Sequence, residues 1–214
     1  MTDSINAATP SRPPKSKERQ FKGLSMAERQ QVRREKLIEA GIEAYGSHGF
    51  FSVTVKDICN EAKLTERYFY ESFKKSEHLF QTIFLKLIDE LQQNVMQAMM
   101  QASTDPKKMI EAGLTALLST LRDNPRMARI IYIDAMLVQE LHNQATIHET
   151  MSRFDRMIHA FVMLMMPQLN RSEQEISLVS TGLNGYVTQI AIRWVMSGFK
   201  HSLEEVLSSC SVVF

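Results

Sequence analysis

The chain has 214 residues, of which 44% are hydrophobic, and its formal net charge at pH 7 is +1. This length suits one large or two small domains, and the small net charge excludes a protein that binds polyanions over its whole surface. Residues 1–76 contain 14 Lys and Arg against 10 Asp and Glu, whereas the remainder contains 11 against 14. A basic front and an acidic rear fit a protein that binds nucleic acid at one end only.

The residue types that carry catalysis and metal binding lack the usual spacings in this chain. Cys59 and Cys210 are far apart, which argues against a disulfide framework or a zinc site, and the six histidines form no pair at metal-ligand spacing. There is no glycine-rich phosphate loop, nucleophile elbow or paired-carboxylate pattern. No apolar run approaches the roughly 18 residues of a membrane span. We therefore expect a cytoplasmic protein that is not an enzyme and has no metal, cofactor or membrane contact.

Residues 1–24 predict a disordered basic arm, because they are rich in Ser, Pro, Lys and Arg and contain too few large apolar residues to fold alone. Two uses fit this arm. Its cations could reach phosphates or an adjacent minor groove, as basic arms do in other DNA-binding folds. It could equally be a solvated tail that aids solubility. The cations are Arg12, Lys15, Lys17, Arg19 and Lys22.

The first helix is predicted from Ser25, which forms a capping box with Glu28, to about Ser47. Its apolar residues follow the helical period and face inward, whereas its arginines face outward. Such a run of charge is usually only a solvated face. The proximity of Arg33 and Arg34 to the segment that follows makes a phosphate contact by one of them an equal alternative.

The stretch from Thr54 to Phe73 predicts two short helices joined by a tight turn. Thr54 caps the first helix in a capping box with Asp57, and Thr65 caps the second. Phe69 lies four residues before Phe73, and this spacing anchors the second helix inward. The arrangement is typical of a helix-turn-helix, whose second helix presents its N-terminal residues to a DNA major groove.

Exposed residues of this second helix are the predicted DNA contacts. A guanidinium can pair with guanine through two hydrogen bonds, so Arg67 is the expected base reader. Tyr68 could stack on a sugar or meet a thymine methyl, and the hydroxyls of Thr65 and Tyr70 could bind phosphate. Structural alternatives are that Thr65 only caps and that one tyrosine only packs. The full predicted DNA-binding set is Arg33, Thr54, Thr65, Glu66, Arg67, Tyr68, Tyr70, Lys74 and Lys75.

The stretch resembles the N-terminal signature of the TetR family of one-component transcriptional regulators over roughly residues 30–80. The resemblance implies a homodimer that binds a palindromic site in double-stranded DNA, and a small-molecule effector bound in the helical rear. The residues that carry it are Thr54-Val55, Asp57-Ile58, Ala62, Leu64-Thr65, Phe69-Tyr70, Phe73 and Glu77-His78-Leu79.

Two positions depart from the family pattern. Lys63 stands in the turn where the family usually has glycine, and a left-handed backbone at such a residue costs about 1 kcal/mol. Ser76 stands where the family commonly has lysine, and Lys74 and Lys75 could take over the phosphate contact of that lysine.

The remaining residues predict an all-α body. A helix over 76–102 would be roughly 40 Å long, so it must connect two bodies. The predicted organisation is the disordered basic arm (1–24), a three-helix helix-turn-helix head (25–75), and a helical ligand-binding and dimerisation bundle (76–214). The later predicted helices cover 106–122, 125–142, 147–166, 173–198 and 202–209.

The helices over 147–166 and 173–198 are apolar on more than one face, and such a helix needs two partners. One partner can be the core of its own body and the other a second copy of the chain. The alternative is that both faces are internal core. The predicted dimer interface is Phe154, Ile158, Phe161, Leu183, Val187, Ile190 and Trp194, and small or apolar residues off these seams include Met157, Gly182, Gly185 and Tyr186.

Twelve of the 14 methionines lie beyond residue 76. Methionine adapts to irregular volumes, so a methionine-rich body could hold an apolar effector pocket, although core filling explains any single methionine equally well. A DNA-binding protein of this fold could also be controlled by a protein partner, or act architecturally, without an inducer. The predicted pocket residues are Arg122, Met127, Met136, His159, Met163, Asn184 and Gln189.

Overall fold

The computed structural model of the chain describes residues 25–102, 104–143, 145–165 and 171–214, and every regular element in these ranges is a helix. The predicted all-α fold class is confirmed. Within the same ranges, no helix is long and apolar enough to cross a membrane. The predicted disordered arm, residues 1–24, lies outside the described residues.

We call the first three helices the head. Capping boxes at Ser25 and Thr54 open the first two helices, as the sequence predicts, and both reciprocal hydrogen bonds are present at each. The hydrogen bonds donated by Thr54 lower the pKa of the Asp57 carboxyl. The helices are α1 (Met26–His48), α2 (Val55–Glu61) and α3 (Glu66–Ser72), with a short 3₁₀ turn at Phe50–Ser52 between the first two.

The later helices form the body. The long helix has the predicted bounds, and Asp105 caps the helix after it by accepting hydrogen bonds from the backbone of Lys107 and Lys108. α4 packs along α5, and α9 packs along α10. The body contains α4 (Ser76–Ala102), α5 (Pro106–Asp123), α6 (Pro125–Arg129), α7 (Ala135–Leu137), α8 (Gln139–Asn143), α9 (Thr146–Met165), α10 (Glu173–Met196) and α11 (Leu203–Ser211).

The single helix predicted over 125–142 is wrong. A π turn at Ile130–Asp134 follows α6, and the backbone becomes extended at Val138, where ψ is 98°. A π turn contains more residues per turn than an α-helix, so it rotates the residues that follow relative to an unbroken helix. The apolar pattern alone did not reveal this change, because isoleucines occur throughout the turn.

One apolar core joins the head to the body. It extends from Leu37 and Phe69 in the head, through Leu79 and Leu91 of α4, to Ala128 of α6. The core therefore crosses the predicted boundary between residues 75 and 76 without a break. A smaller cluster lies between α5, α10 and α11 and includes Leu118, Val187, Trp194, Val206 and Cys210.

Candidate nucleic-acid interface and effector cavity

The turn between α2 and α3 keeps a left-handed backbone although it lacks glycine. Lys63 has φ 54°, and the next amide, that of Leu64, donates a 2.9 Å hydrogen bond to the carbonyl of Cys59. Thr65 occupies the N-cap position of α3, but its hydroxyl makes no capping hydrogen bond. The expectation of a side-chain cap at Thr65 is therefore wrong. The exposed hydroxyl of Thr65 does not accept a hydrogen bond from the first backbone amides of α3.

Aromatic packing fixes which face of α3 is exposed. Phe69 is fully buried, and its ring centroid lies 5.8 Å from that of Phe73. Other residues of α3 reach solvent: the Arg67 side chain is 84% exposed, and Tyr70 is 57% exposed although its ring packs edge-on against Phe69, with 5.4 Å between the ring centroids. Glu66 is also exposed, in the first turn. The helix therefore presents a guanidinium and a phenol side by side.

An acidic residue that the sequence analysis missed lies on this exposed face. Glu71 accepts a 3.1 Å hydrogen bond from Nε of Arg67 through Oε1, and its Oε2 lies 3.8 Å from a terminal nitrogen of Arg33. The Arg33 guanidinium in turn lies 4.4 Å from the centre of the Tyr68 ring. The spacing of four residues between Arg67 and Glu71 on a helix is the sequence signal for this pair.

The two lysines after α3 have different surroundings. Lys74 is exposed. The Nζ of Lys75 donates a 2.8 Å hydrogen bond to Glu140 on α8, and this bond raises the pKa of Lys75. The ammonium group of Lys75 is thus held against the body, and its predicted phosphate contact, which stays a prediction, would share this group with Glu140.

A buried carboxylate also joins the head to the body. Asp134, the last residue of the π turn, accepts a 3.3 Å hydrogen bond from the amide of Phe50 and lies 3.6 Å from Nε of Arg129. Burial raises the pKa of Asp134, and the positive charge of Arg129 acts in the opposite direction. The π turn thus connects the body directly to the loop before α2.

Close helix contacts support the same junction. Arg126 of α6 forms a 2.7 Å ion pair with Glu43 and donates a 3.0 Å hydrogen bond to the hydroxyl of Ser47. Gly46 permits this approach, since a Cβ atom there would lie only 2.4 Å from Cβ of Arg126. Head and body therefore contact each other through apolar, charged and close backbone contacts.

An apolar cavity of about 90 Å³ lies in the body between α4, α5, α9 and α10. No charged side chain of the described residues lines it. Its one amide, that of Asn184, already donates a 2.7 Å hydrogen bond to Asp155. The lining residues are Val95, Met99, Ile110, Gly113, Leu114, Leu117, Met157, Ile158, Phe161, Asn184, Val187 and Phe214.

No family model and no curated protein matches the sequence. Among solved structures, the chain is similar to the fatty acid degradation regulator FadR from Bacillus halodurans, with a TM-score of 0.71 and 16% identity over 84% of this chain and 92% of that one. It is also similar to a TetR-like transcriptional regulator from Rhodococcus, with a TM-score of 0.64 and 13% identity over 85% and 93% of the two chains. The FadR of Bacillus subtilis, solved in complex with stearoyl-CoA, has a TM-score of 0.68 and 15% identity over 84% and 98%. The chain has the TetR-family fold.

Six of the seven predicted pocket residues lie outside the apolar cavity between α4, α5, α9 and α10, and only Asn184 lines it. Arg122 forms a surface ion pair with Asp123, and Met127 is buried in the core between head and body. His159 is half-buried at a separate polar groove between α9 and α10. The exposed residues of the set are Met136, Met163 and Gln189. Residue polarity alone did not show which helix face meets the cavity.

Most residues of the predicted dimer seam pack inside the single chain. Ile158, Phe161 and Val187 line the cavity, while Phe154 packs on the main core and Ile190 on the smaller cluster. Leu183 is half-buried. Trp194 is only 3% exposed, and its indole N–H donates a 2.9 Å hydrogen bond to the carbonyl of His201.

The outer face of α10 carries a different set of residues. Leu178 is 74% exposed, and apart from chain neighbours and the nearby backbone of α10 itself no atom lies within 4 Å of a Cβ built on Gly182 or Gly185. Tyr186 and Met196 are exposed as well. Of the two faces predicted on this helix, the one with Val187 and Trp194 is buried within the chain, and the one with Gly182 and Gly185 faces outward.

Proposed function

We propose that the protein is a cytoplasmic, homodimeric repressor that binds a palindromic operator in double-stranded DNA and is released by a small apolar molecule. The observation that carries this proposal is the exposed surface of α3, where Arg67 and Tyr70 reach solvent while Phe69 anchors the helix in the core. A helix anchored in this way can enter a major groove without disturbing the head.

Arg67 reads a guanine in each half-site, because its side chain is 84% exposed and a guanidinium can donate two hydrogen bonds to guanine. The hydroxyls of Thr65 and Tyr70 and the ammonium group of Lys74 bind the phosphates that flank this base pair. Arg33 lies behind Tyr68, so these two residues orient the contact surface more than they extend it. In a dimer, the two α3 helices enter major grooves about 34–36 Å apart or a multiple of that distance.

A second copy of the chain packs on the outer face of α10. Leu178, Gly182 and Gly185 follow helical spacing along this face, and the two glycines let another helix approach closely. The exposed Met196 extends the apolar stripe toward the end of the helix. The two α9–α10 pairs then form a four-helix interface that fixes the distance between the two heads.

The effector binds in the apolar cavity of the body. As found, the cavity is smaller than the roughly 150 Å³ that holds a benzene ring, so a ligand must enlarge it. Met99 and Met157 can move to make this room, since methionine side chains are flexible. The stearoyl-CoA bound by the Bacillus subtilis neighbour suggests an acyl chain, whose charged head group would stay outside this lining.

Effector binding reaches the head through α4. Val95 and Met99 line the cavity on α4, and the other end of this helix packs in the core of the head. The contacts of Asp134 and Lys75 make the head follow the body as a unit. A ligand can shift the population of DNA-competent dimers only by the difference between its affinities for the two states.

The DNA-binding proposal is tested with a palindromic duplex enriched by the protein from a randomised library. Fluorescence anisotropy should show that Arg67→Ala weakens binding by about 1–3 kcal/mol and relaxes discrimination at one base pair of each half-site. Lys74→Ala should weaken binding to every sequence and reduce its salt dependence by about one counterion per half-site. Unchanged base discrimination in Arg67→Ala would overturn the assignment of Arg67.

The effector proposal is tested by adding stearic acid or stearoyl-CoA to the protein–DNA complex and measuring release of the DNA by fluorescence anisotropy. Release by either compound should be lost in Ile158→Trp, because the larger ring fills the cavity, while DNA affinity without effector should stay unchanged. Release that survives in Ile158→Trp would place the effector elsewhere. If a series of acyl chain lengths also fails to release the DNA, control by a protein partner is the better explanation.

A further inference from the structure

We propose that Glu71 is a positioning residue that orients Arg67 toward its base and thereby sets sequence discrimination. The inference rests on the proposed DNA-binding function. In the free protein, the Arg67 side chain is 84% exposed, yet its Nε donates a 3.1 Å hydrogen bond to Glu71. An unrestrained arginine would lose rotamer entropy when it is fixed on DNA, so prior orientation lowers this cost.

Glu71 is itself held from behind. Its second carboxylate oxygen lies 3.8 Å from a terminal nitrogen of Arg33, which belongs to α1. Arg33 is fixed in turn by its position 4.4 Å from the centre of the Tyr68 ring. The two oxygens of one carboxylate therefore face two arginines, one that anchors the carboxylate and one that extends to solvent. Isolated surface ion pairs contribute little, but an anchored network of charges restricts geometry more strongly.

The nitrogen that Glu71 engages leaves the base-reading end of Arg67 available. A guanidinium has five N–H donors, and the hydrogen bond to Glu71 uses the one on Nε. The two terminal nitrogens can then donate together to O6 and N7 of guanine. Glu71 and guanine therefore bind different parts of the same group and do not compete.

The charge of Glu71 adds a second effect. A carboxylate on a surface that faces DNA repels phosphates, so it weakens binding to every sequence. Orientation of Arg67 favours the correct base only. Removal of Glu71 should thus change affinity for random DNA and discrimination between sequences in opposite directions. A residue that merely stabilised the head would change both in the same direction.

The test measures Kd for the enriched palindrome, for a version with the contacted G·C pair replaced, and for a random duplex. Glu71→Ala should raise affinity for the random duplex about two- to fivefold and lower discrimination at the replaced pair about fivefold or more. Glu71→Gln keeps an oxygen acceptor without charge, so it should bind random DNA like Glu71→Ala but recover part of the discrimination. Thermal unfolding of each variant checks that the head remains folded.

Two comparisons isolate the role of Arg67. Glu61→Gln, at the exposed end of α2, removes the same charge from the head and should leave discrimination unchanged. Glu71→Ala combined with Arg67→Ala should discriminate no worse than Arg67→Ala alone, because the effect of Glu71 passes through Arg67. Equal loss of affinity for all three duplexes in Glu71→Ala, or further loss of discrimination in the double variant, would overturn the proposal. Absence of any discrimination by the wild-type protein would instead contradict the proposed function.

Discussion

At the scale of single residues, Lys63 adopts the left-handed backbone that its turn requires, and its Cβ atom makes this conformation sterically strained. The turn between α2 and α3 needs a left-handed residue, and Lys63 adopts φ 54° although it carries a Cβ atom. Glycine has no such steric cost in this region. The resemblance to a family with glycine in the turn pointed to this position, and the structure shows that the turn keeps its left-handed backbone without glycine.

Lys63→Gly should therefore raise the free energy of unfolding by about 1 kcal/mol in urea titrations. Lys63→Ala is the control, because alanine removes the charge and keeps the Cβ atom, and it should unfold like the wild type. Equal unfolding free energies for the glycine and alanine variants would show that the turn is not strained.

Asp134 is the second informative residue, because its carboxylate is buried and its partners are few. Burial raises the pKa of Asp134 above 3.8, the usual value of an aspartate. Between the unfolded and the folded pKa the folded state binds more protons, so the stability contributed by Asp134 falls as pH rises through this window. Its hydrogen bond with the amide of Phe50 nevertheless needs an acceptor at this position.

Two variants separate these effects at neutral pH. Asp134→Asn keeps an oxygen acceptor without a buried charge and should be at least as stable as the wild type, whereas Asp134→Ala should lose about 1–3 kcal/mol by leaving the Phe50 amide unsatisfied. In a pH series of urea titrations, the advantage of Asp134→Asn over the wild type should grow as pH rises above 3.8 and then level off. A difference that is independent of pH would contradict the raised pKa.

At the scale of elements, the junction between α1, α6 and the π turn decides how the head is held. α1 passes close to α6 at Gly46, and the π turn places Asp134 against the loop after α1. Such a junction depends on contacts between residues more than 80 positions apart, such as Phe50 and Asp134. Helix propensity and apolar spacing cannot predict it.

Gly46→Ala has two opposing effects on stability: it raises helix propensity, and it disturbs the close contact with Arg126. Alanine is better than glycine inside a helix by about 1 kcal/mol, but its Cβ would lie 2.4 Å from Cβ of Arg126 and 3.0 Å from its Cα. Since the backbone of α6 would have to shift, the variant should unfold at lower urea concentration, with a net loss of about 1–3 kcal/mol. A variant more stable than the wild type would show that α6 is not packed tightly against α1.

At the scale of the whole molecule, the proposed dimer connects the apolar outer face of α10 to the spacing of the two heads. Leu178 is the most exposed large apolar residue on that face, and Met100 on α4 is similarly exposed elsewhere. A scattered exposed apolar residue is common in monomers. A stripe that includes two open glycines on one helix favours a partner helix instead.

Leu178→Arg should make the protein monomeric in sedimentation experiments at micromolar concentration, because two copies would bring two arginines together in an apolar interface. Its affinity for the palindrome should fall with the loss of the second head. Met100→Arg should remain dimeric and bind the palindrome normally. A wild-type protein that is monomeric at this concentration would contradict the proposed assembly.

The sequence by itself determined the helices and most of their ends, because these depend on neighbours in the chain. Side-chain caps at Ser25, Thr54, Asp105 and Ser172 form between residues two or three positions apart, and proline follows Asp105 directly. The same local pattern identified the helix-turn-helix and placed Arg67 on its exposed face.

Only the tertiary structure decided which faces meet. Periodicity showed two apolar faces on α10, but it cannot show which of the two packs on the core of the same chain. Trp194 and Val187 were therefore assigned to a partner, whereas they are buried within the chain. The contacts of Lys75 with Glu140 and of Asp134 with Phe50 join distant segments. Such pairings depend on the packed arrangement of all the helices, since the free energy of a contact is defined only once both partners are in place.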